Sequence, residues 1–79
     1  MLLGILSDVL EELERAKGLH PNYPEDLIHR VAIASEEAGE TMQAALNHVY
    51  DGGEISRVRE EAIQAAAMYL RLLESLPID

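Results

Sequence analysis

The sequence contains no cysteine, no phenylalanine and no tryptophan, and its only aromatic residues are three tyrosines. Without cysteine there are no disulfides and no thiolate metal sites. Without large aromatics, Ala, Leu, Ile, Val and Met must build the core, which suits closely packed helices. Basic residues are also scarce: 6 Lys and Arg face 15 Asp and Glu, a formal charge of −9. That balance argues against a nucleic-acid partner, because neutralising phosphates requires a basic footprint. It argues equally against docking on anionic membranes. No apolar run approaches the roughly 20 residues that span a bilayer. The opening "MLLGIL" lacks the basic start and small-residue cleavage site of a signal peptide, so the expected location is cytoplasmic.

What is present reads as helix. With 79 residues the chain is one domain, residues 1–79, and it shows no strand alternation, internal repeat or low-complexity tract. The first helix is expected from Leu2 to Ala16, on the spacing of Leu2, Ile5, Leu6, Val9, Leu10, Leu13 and Ala16, with Gly18 as its stop. "GLHPNYPED" reads as a loop. Pro24 is expected at the first position of the second helix, with Glu25 and Asp26 in its first turn. That helix runs to Tyr50, with Leu27, Val31, Ala34, Ala38, Met42, Ala45 and Val49 as its main apolar stripe, and Asp51-Gly52-Gly53 ends it. The third runs from Glu54 to Leu76. Its stripe is Ile55, Val58, Ala62, Ala65, Tyr69, Leu72 and Leu76, with Ile63, Ala66, Ala67 and Leu70 adding apolar surface elsewhere.

The fold class is therefore all-α: two long antiparallel helices in a hairpin plus a shorter N-terminal helix. The second helix, at 1.5 Å per residue, is about 39 Å long. One short helix cannot cover both faces of such a hairpin. Self-association into a four-helix core, as a homodimer or a dimer of dimers, is the expected remedy.

The chemistry concentrates in "SEEAGE", residues 35–40. Glu37 and Glu40 are three apart and share a helix face, while Glu36 points about 100° away toward solvent. Glu61 and Gln64 repeat the spacing on the third helix. Position 40 lies 12 residues before the centre of the turn, at 52, and position 64 lies 12 after it, so the pairs stand at about the same height. Like charges brought together need neutralising. A hard cation, Mg²⁺ or Mn²⁺, does so with carboxylate and amide oxygens. The competing reading is an ordinary solvated acidic face, which arises easily in a chain this acidic.

"EEAGE" resembles the E-E-x-x-E motif of MazG-like nucleotide pyrophosphohydrolases, in the all-alpha NTP pyrophosphatase superfamily. "EAIQ", Glu61 to Gln64, stands where that family carries E-x-x-D one helix later, in a branch with Gln for Asp. The resemblance covers roughly residues 25–76. It implies that Glu37, Glu40 and Glu61, with Gln64 in the place of the Asp, hold Mg²⁺. It gives Glu36 and Glu37 a part in catalysis. The implied reaction splits a nucleoside triphosphate into monophosphate and pyrophosphate. Gln64 supplies an amide oxygen without charge, so weaker metal binding is expected. The alternative is a catalytically weak or inactive MazG-like scaffold that binds metal, nucleotide or a protein.

Three basic residues are candidates for substrate phosphates. Arg30 lies seven residues before Glu37 and either meets a phosphate or pairs, with Glu37 or with a carboxylate of a partner subunit. Arg57, four before Glu61, has the same two options. Lys17, with His20, Asn22 and Tyr23, either covers a nucleotide or belongs to an ordinary polar loop. Gly39 is expected to permit close helix packing, and Tyr69 to lie in the core with its hydroxyl at an edge.

Overall fold

In the computed structural model, which describes residues 1–78, three helices follow one another: α1 (Leu2–Leu19), α2 (Leu27–Asp51) and α3 (Ile55–Ser75). No strand occurs among the described residues, and no helix is long and apolar enough to cross a membrane.

The helix ends differ from expectation in two places. Gly18 does not stop α1, which continues to Leu19 and is capped by the His20 N–H on the Ala16 carbonyl at 2.8 Å. The terminator is Pro21: a residue before proline is pushed out of the helical region, and His20 sits at φ −129°, ψ 70°. Pro24 is likewise not the first residue of α2. Asp26 takes the cap position in extended backbone, and its carboxylate accepts from the His29 N–H at 2.9 Å. The turn into α3 is as expected. Gly52 has φ 73°, and Gly53 donates to the Asn47 carbonyl at 2.9 Å. A Cβ on Gly53 would stand 3.2 Å from Asn47 atoms, a tight contact that Asn47 would have to relieve by a few tenths of an ångström.

Packing is organised around α3, which touches both other helices, while α1 and α2 do not pack on each other. On one side α1 lays Val9 and Leu13 against Ala67, flanked by Ile63, Ala66 and Leu70. Surface ion pairs Arg59–Asp8 at 2.7 Å and Lys17–Glu74 at 2.9 Å join α1 to α3 near its two ends. On the other side the hairpin seam is lined by small residues, with Ala34, Ala44 and Ala65 buried.

The inward face of α2 is Ile33, Ala34, Glu37, Thr41, Ala44 and Ala45, all buried or half-buried. Much of the predicted stripe faces outward instead: Leu27, Val31, Ala38, Met42 and Val49 are exposed, as is Tyr69 on α3. Gly39 is exposed too, and a Cβ there would meet nothing, so it mediates no packing within the chain. The accessible surface is 5775 Å². A compact 8.8 kDa monomer has about 4,800 Å². The chain thus exposes roughly 1,000 Å² more than its size requires, much of it apolar side chain.

Candidate metal centre

The seam of α2 against α3 runs through positions 34, 37, 41 and 44, a spacing that normally carries apolar residues. Here alanines hold the two ends, and Glu37 and Thr41 stand between them. The Thr41 hydroxyl turns back to donate to the Glu37 carbonyl at 3.0 Å, so it does not serve the Glu37 carboxylate. From α3, Glu61 enters the same seam and is only 7 % exposed. Glu40, one turn after Glu37 and exposed, completes the group. One carboxylate oxygen from each of Glu37, Glu40 and Glu61 lies within 4.8 Å of the others.

The electrostatics show how unbalanced this arrangement is. Arg57 donates to Glu61 Oε1 at 3.0 Å, and also to Glu60 at 3.0 Å. Glu61 Oε2 and Glu37 Oε2 are buried with no hydrogen-bond partner. Burial, then the charges of Glu40, Glu61, Glu12 and Glu36, raises the Glu37 pKa above its ordinary value. Burial also raises Glu61, followed by the neighbouring Glu40 carboxylate, with Arg57 opposing. Both acids hold protons more tightly than a solvated carboxylate because burial and acidic neighbours outweigh the one nearby cation, Arg57.

A divalent cation fits this donor set. The ligand atoms are all hard oxygens, and their spacing accommodates one ion with ligands at about 2.0–2.6 Å. Two of the three carboxylates have a buried oxygen that water does not reach. No histidine or cysteine joins the cluster, which disfavours zinc.

The cluster lies between two clefts. The larger, about 420 Å³, is floored by Gln64, Met68 and Arg71 of α3 and walled by Glu12 of α1 and Ile33 and Glu37 of α2. The smaller, about 270 Å³, is bordered by Glu40, Glu61, Arg57 and the residues of the hairpin turn. Gln64 thus borders the larger cleft with Glu37, while Glu40 and Glu61 border the smaller one.

The other predicted residues have separate positions. Glu36 is exposed and acts on the cluster through its charge. Arg57 borders the smaller cleft and is engaged by Glu60 and Glu61. Lys17 is paired with Glu74. Arg30 pairs with neither Glu37 nor any other carboxylate among the described residues. Its guanidinium donates to the Pro24 carbonyl and, at 3.5 Å, to the Ser75 carbonyl, tying the first loop to the end of α3.

Two residues of the larger cleft escaped the sequence reading. Glu12 adds a fourth acidic influence on Glu37 from α1, and its signal was its place beside Leu13 at the edge of that helix's apolar stripe. Arg71 is 8 % exposed, with its guanidinium carbon 4.3 Å from the Tyr23 ring centroid. Its signal was the i, i+4, i+7 series Gln64, Met68, Arg71, which keeps all three on one helix face. Comparison with family models, curated proteins and solved structures finds no match to this chain.

Proposed function

We propose that the protein is a Mg²⁺-dependent nucleoside triphosphate pyrophosphohydrolase of the MazG-like kind, with Mn²⁺ as a substitute ion. The observation that carries this reading is the convergence of Glu37, Glu40 and Glu61 within 4.8 Å, with two buried carboxylate oxygens unpartnered. A structural hairpin gains nothing from three carboxylates on its seam, whereas a cation-dependent reaction on an anionic substrate requires them. Mg²⁺ supplies charge screening for the polyphosphate and lowers the pKa of a bound water. Glu37, Glu40 and Glu61 would hold the ion, with Gln64 contributing a neutral amide from the Glu37 side. Glu37, whose pKa is raised by burial and by its acidic neighbours, accepts the proton of the attacking water. The new O–P bond forms as the α–β phosphoanhydride bond breaks, giving monophosphate and pyrophosphate. Glu36, at the solvent edge, adds negative charge beside Glu37.

Self-association belongs to the same proposal. The surplus of roughly 1,000 Å² on this chain matches the roughly 800 Å² that each partner contributes to a standard interface. Leu27, Val31, Met42 and Val49 give α2 an outward apolar stripe, the side on which a second hairpin completes a four-helix core.

The test is release of pyrophosphate and monophosphate across a panel of ribo- and deoxyribonucleoside triphosphates with Mg²⁺ or Mn²⁺. No release with any of them, by protein that binds neither ion at millimolar concentration, overturns the reading. Gln64 and the Arg57–Glu61 ion pair favour a second one. Both lower the site's demand for a cation, as in a catalytically weak scaffold that binds metal or nucleotide without turnover. Metal binding without product release supports that alternative.

A further inference from the structure

The six basic side chains divide sharply. Arg15 pairs with Glu12, Lys17 with Glu74, Arg57 with Glu60 and Glu61, and Arg59 with Asp8. Arg30 and Arg71 have no carboxylate partner among the described residues, in a chain with a net charge of −9. Both gather on Tyr23, with guanidinium carbons 5.1 and 4.3 Å from the ring centroid. Arg30 is spent on carbonyls of the loop and of α3 and does not border the cleft. Arg71 does border it, and is more than nine-tenths buried. Its recorded hydrogen bond is Nη2 to the His20 carbonyl at 2.9 Å, which leaves most of its five N–H donors for other partners.

A buried arginine is ordinarily paired, because an uncompensated buried charge is costly. The Tyr23 ring and one carbonyl compensate Arg71 only in part. None of its nitrogens is buried without a partner, so the donors not used by His20 face the open cleft, where an anion can enter. We infer that the α1–α2 cleft is a condensed-phosphate site in which Arg71 binds the anion and Tyr23 positions the guanidinium. Gln64 and Arg71 share the cleft floor and lie seven residues, or about 10 Å, apart along α3. The cleft thus has a carboxylate end at Glu37 and a cationic end at Arg71. A ligand that is a metal-bound polyphosphate at the first end presents its far phosphates to the second. This deepens the proposed function and rests on it for the identity of the substrate. The anion site itself does not depend on turnover.

The probe is inorganic pyrophosphate with EDTA present, titrated by calorimetry and by ¹⁵N NMR of the arginine side chains. The expected result is millimolar or tighter binding, with the Arg71 Nε–H resonance shifting and that of Arg59 not. Arg71→Gln is expected to weaken binding at least tenfold, Arg71→Lys to retain part of it, and Arg59→Gln, outside the cleft and paired with Asp8, to leave it unchanged. Tyr23→Phe keeps the ring and removes a buried hydroxyl that has no partner. It is expected to bind pyrophosphate as wild type does while melting no lower. If Arg71→Gln fails to fold, the wild-type NMR titration decides. No binding by wild type, or binding that leaves the Arg71 resonance in place, overturns the inference. So does equal affinity in a folded Arg71→Gln. Pyrophosphate binding at Arg71 in a protein that hydrolyses no nucleotide leaves the cleft assignment standing and removes only the enzymatic reading.

Discussion

Replacing Glu40 by Gln is expected to stabilise the metal-free protein and to abolish its stabilisation by Mg²⁺. Glu40 is exposed, so no cavity or lost packing complicates the change. Its carboxylate has oxygens within 4.8 Å of those of Glu37 and Glu61. Two like unit charges at that separation repel by about 0.9 kcal/mol in a water-like dielectric and about 3.5 kcal/mol at an effective dielectric of 20. The exposure of Glu40 selects the lower end, so removing its charge returns about 1 kcal/mol. For a domain of this size that corresponds to a rise in Tm of about 4–8 °C.

Mg²⁺ acts in the opposite sense. An ion at ten times its dissociation constant stabilises the folded state by about 1.4 kcal/mol, or about 6–11 °C. Wild type should show this shift, and Glu40→Gln should lose most of it. The pH dependence follows from the raised pKa of Glu61. A carboxyl whose folded pKa lies above its ordinary 4.5 contributes stability that is fully present below that value. That stability is lost as the pH rises through the folded pKa. Metal-free wild type should therefore melt lower as the pH climbs above 4.5, and Glu40→Gln should flatten that decline. The Mg²⁺ shift should be largest at the alkaline side, where the acids are ionised. Differential scanning fluorimetry at one fixed protein concentration, with EDTA or Mg²⁺ at several pH values, measures all of this. A metal-free Glu40→Gln that melts below wild type, or one that keeps the full Mg²⁺ shift, refutes the reasoning.

Gln64→Asp should tighten Mg²⁺ binding at least severalfold by adding a charge on the Glu37 side, and unchanged affinity by calorimetry would place residue 64 outside the ligand set. Val49→Lys, at a position 68 % exposed, should shift sedimentation from dimer toward monomer with little loss of helicity. Wild type that sediments as a monomer at every concentration would instead discard the self-association. Leu13→Ala should cost about 2–4 kcal/mol in denaturant unfolding, because Leu13 is 5 % exposed and carries much of the α1–α3 contact. Gly39→Ala should raise stability by about 1 kcal/mol from helix propensity, since nothing in the chain opposes a Cβ there; a loss would show that a partner subunit occupies that surface.

Much of the architecture was legible in the sequence because helical periodicity and glycine chemistry are local. Three helices, the Gly52-Gly53 turn and the convergence of Glu37, Glu40 and Glu61 all follow from spacing. The helix ends were less legible because competing local signals overlap there. Gly18 looks like a stop, but Pro21 imposes the real one through His20, and Asp26 caps where Pro24 seemed to begin. The rotation of α2 was missed for a different reason. Leu27, Val31, Met42 and Val49 form the most apolar stripe, yet the α2–α3 seam takes alanines, because small side chains let the two backbones approach. Periodicity identifies an apolar stripe and does not say which neighbour covers it. The roles of Glu12 and Arg71 depend on how α1 and the first loop pack on α3, which no spacing within one helix reveals.

The charge count at the seam narrows what can complete it. When ionised, Glu37, Glu40 and Glu61 bring three negative charges to one small volume. Arg57 returns one positive charge and shares it with Glu60. About two negative charges remain uncompensated, one short of what a fourth carboxylate at position 64 would leave. Bound protons relieve part of this charge, and the pKa values of Glu37 and Glu61 are raised by burial and by their acidic neighbours. On the proposed reading one divalent cation would restore balance without further protein charge, and the same ion would draw an anionic ligand toward Glu37 in an otherwise repulsive chain. Gln64 would then let a single divalent ion neutralise the seam, where a fourth carboxylate would leave a surplus to hold a second.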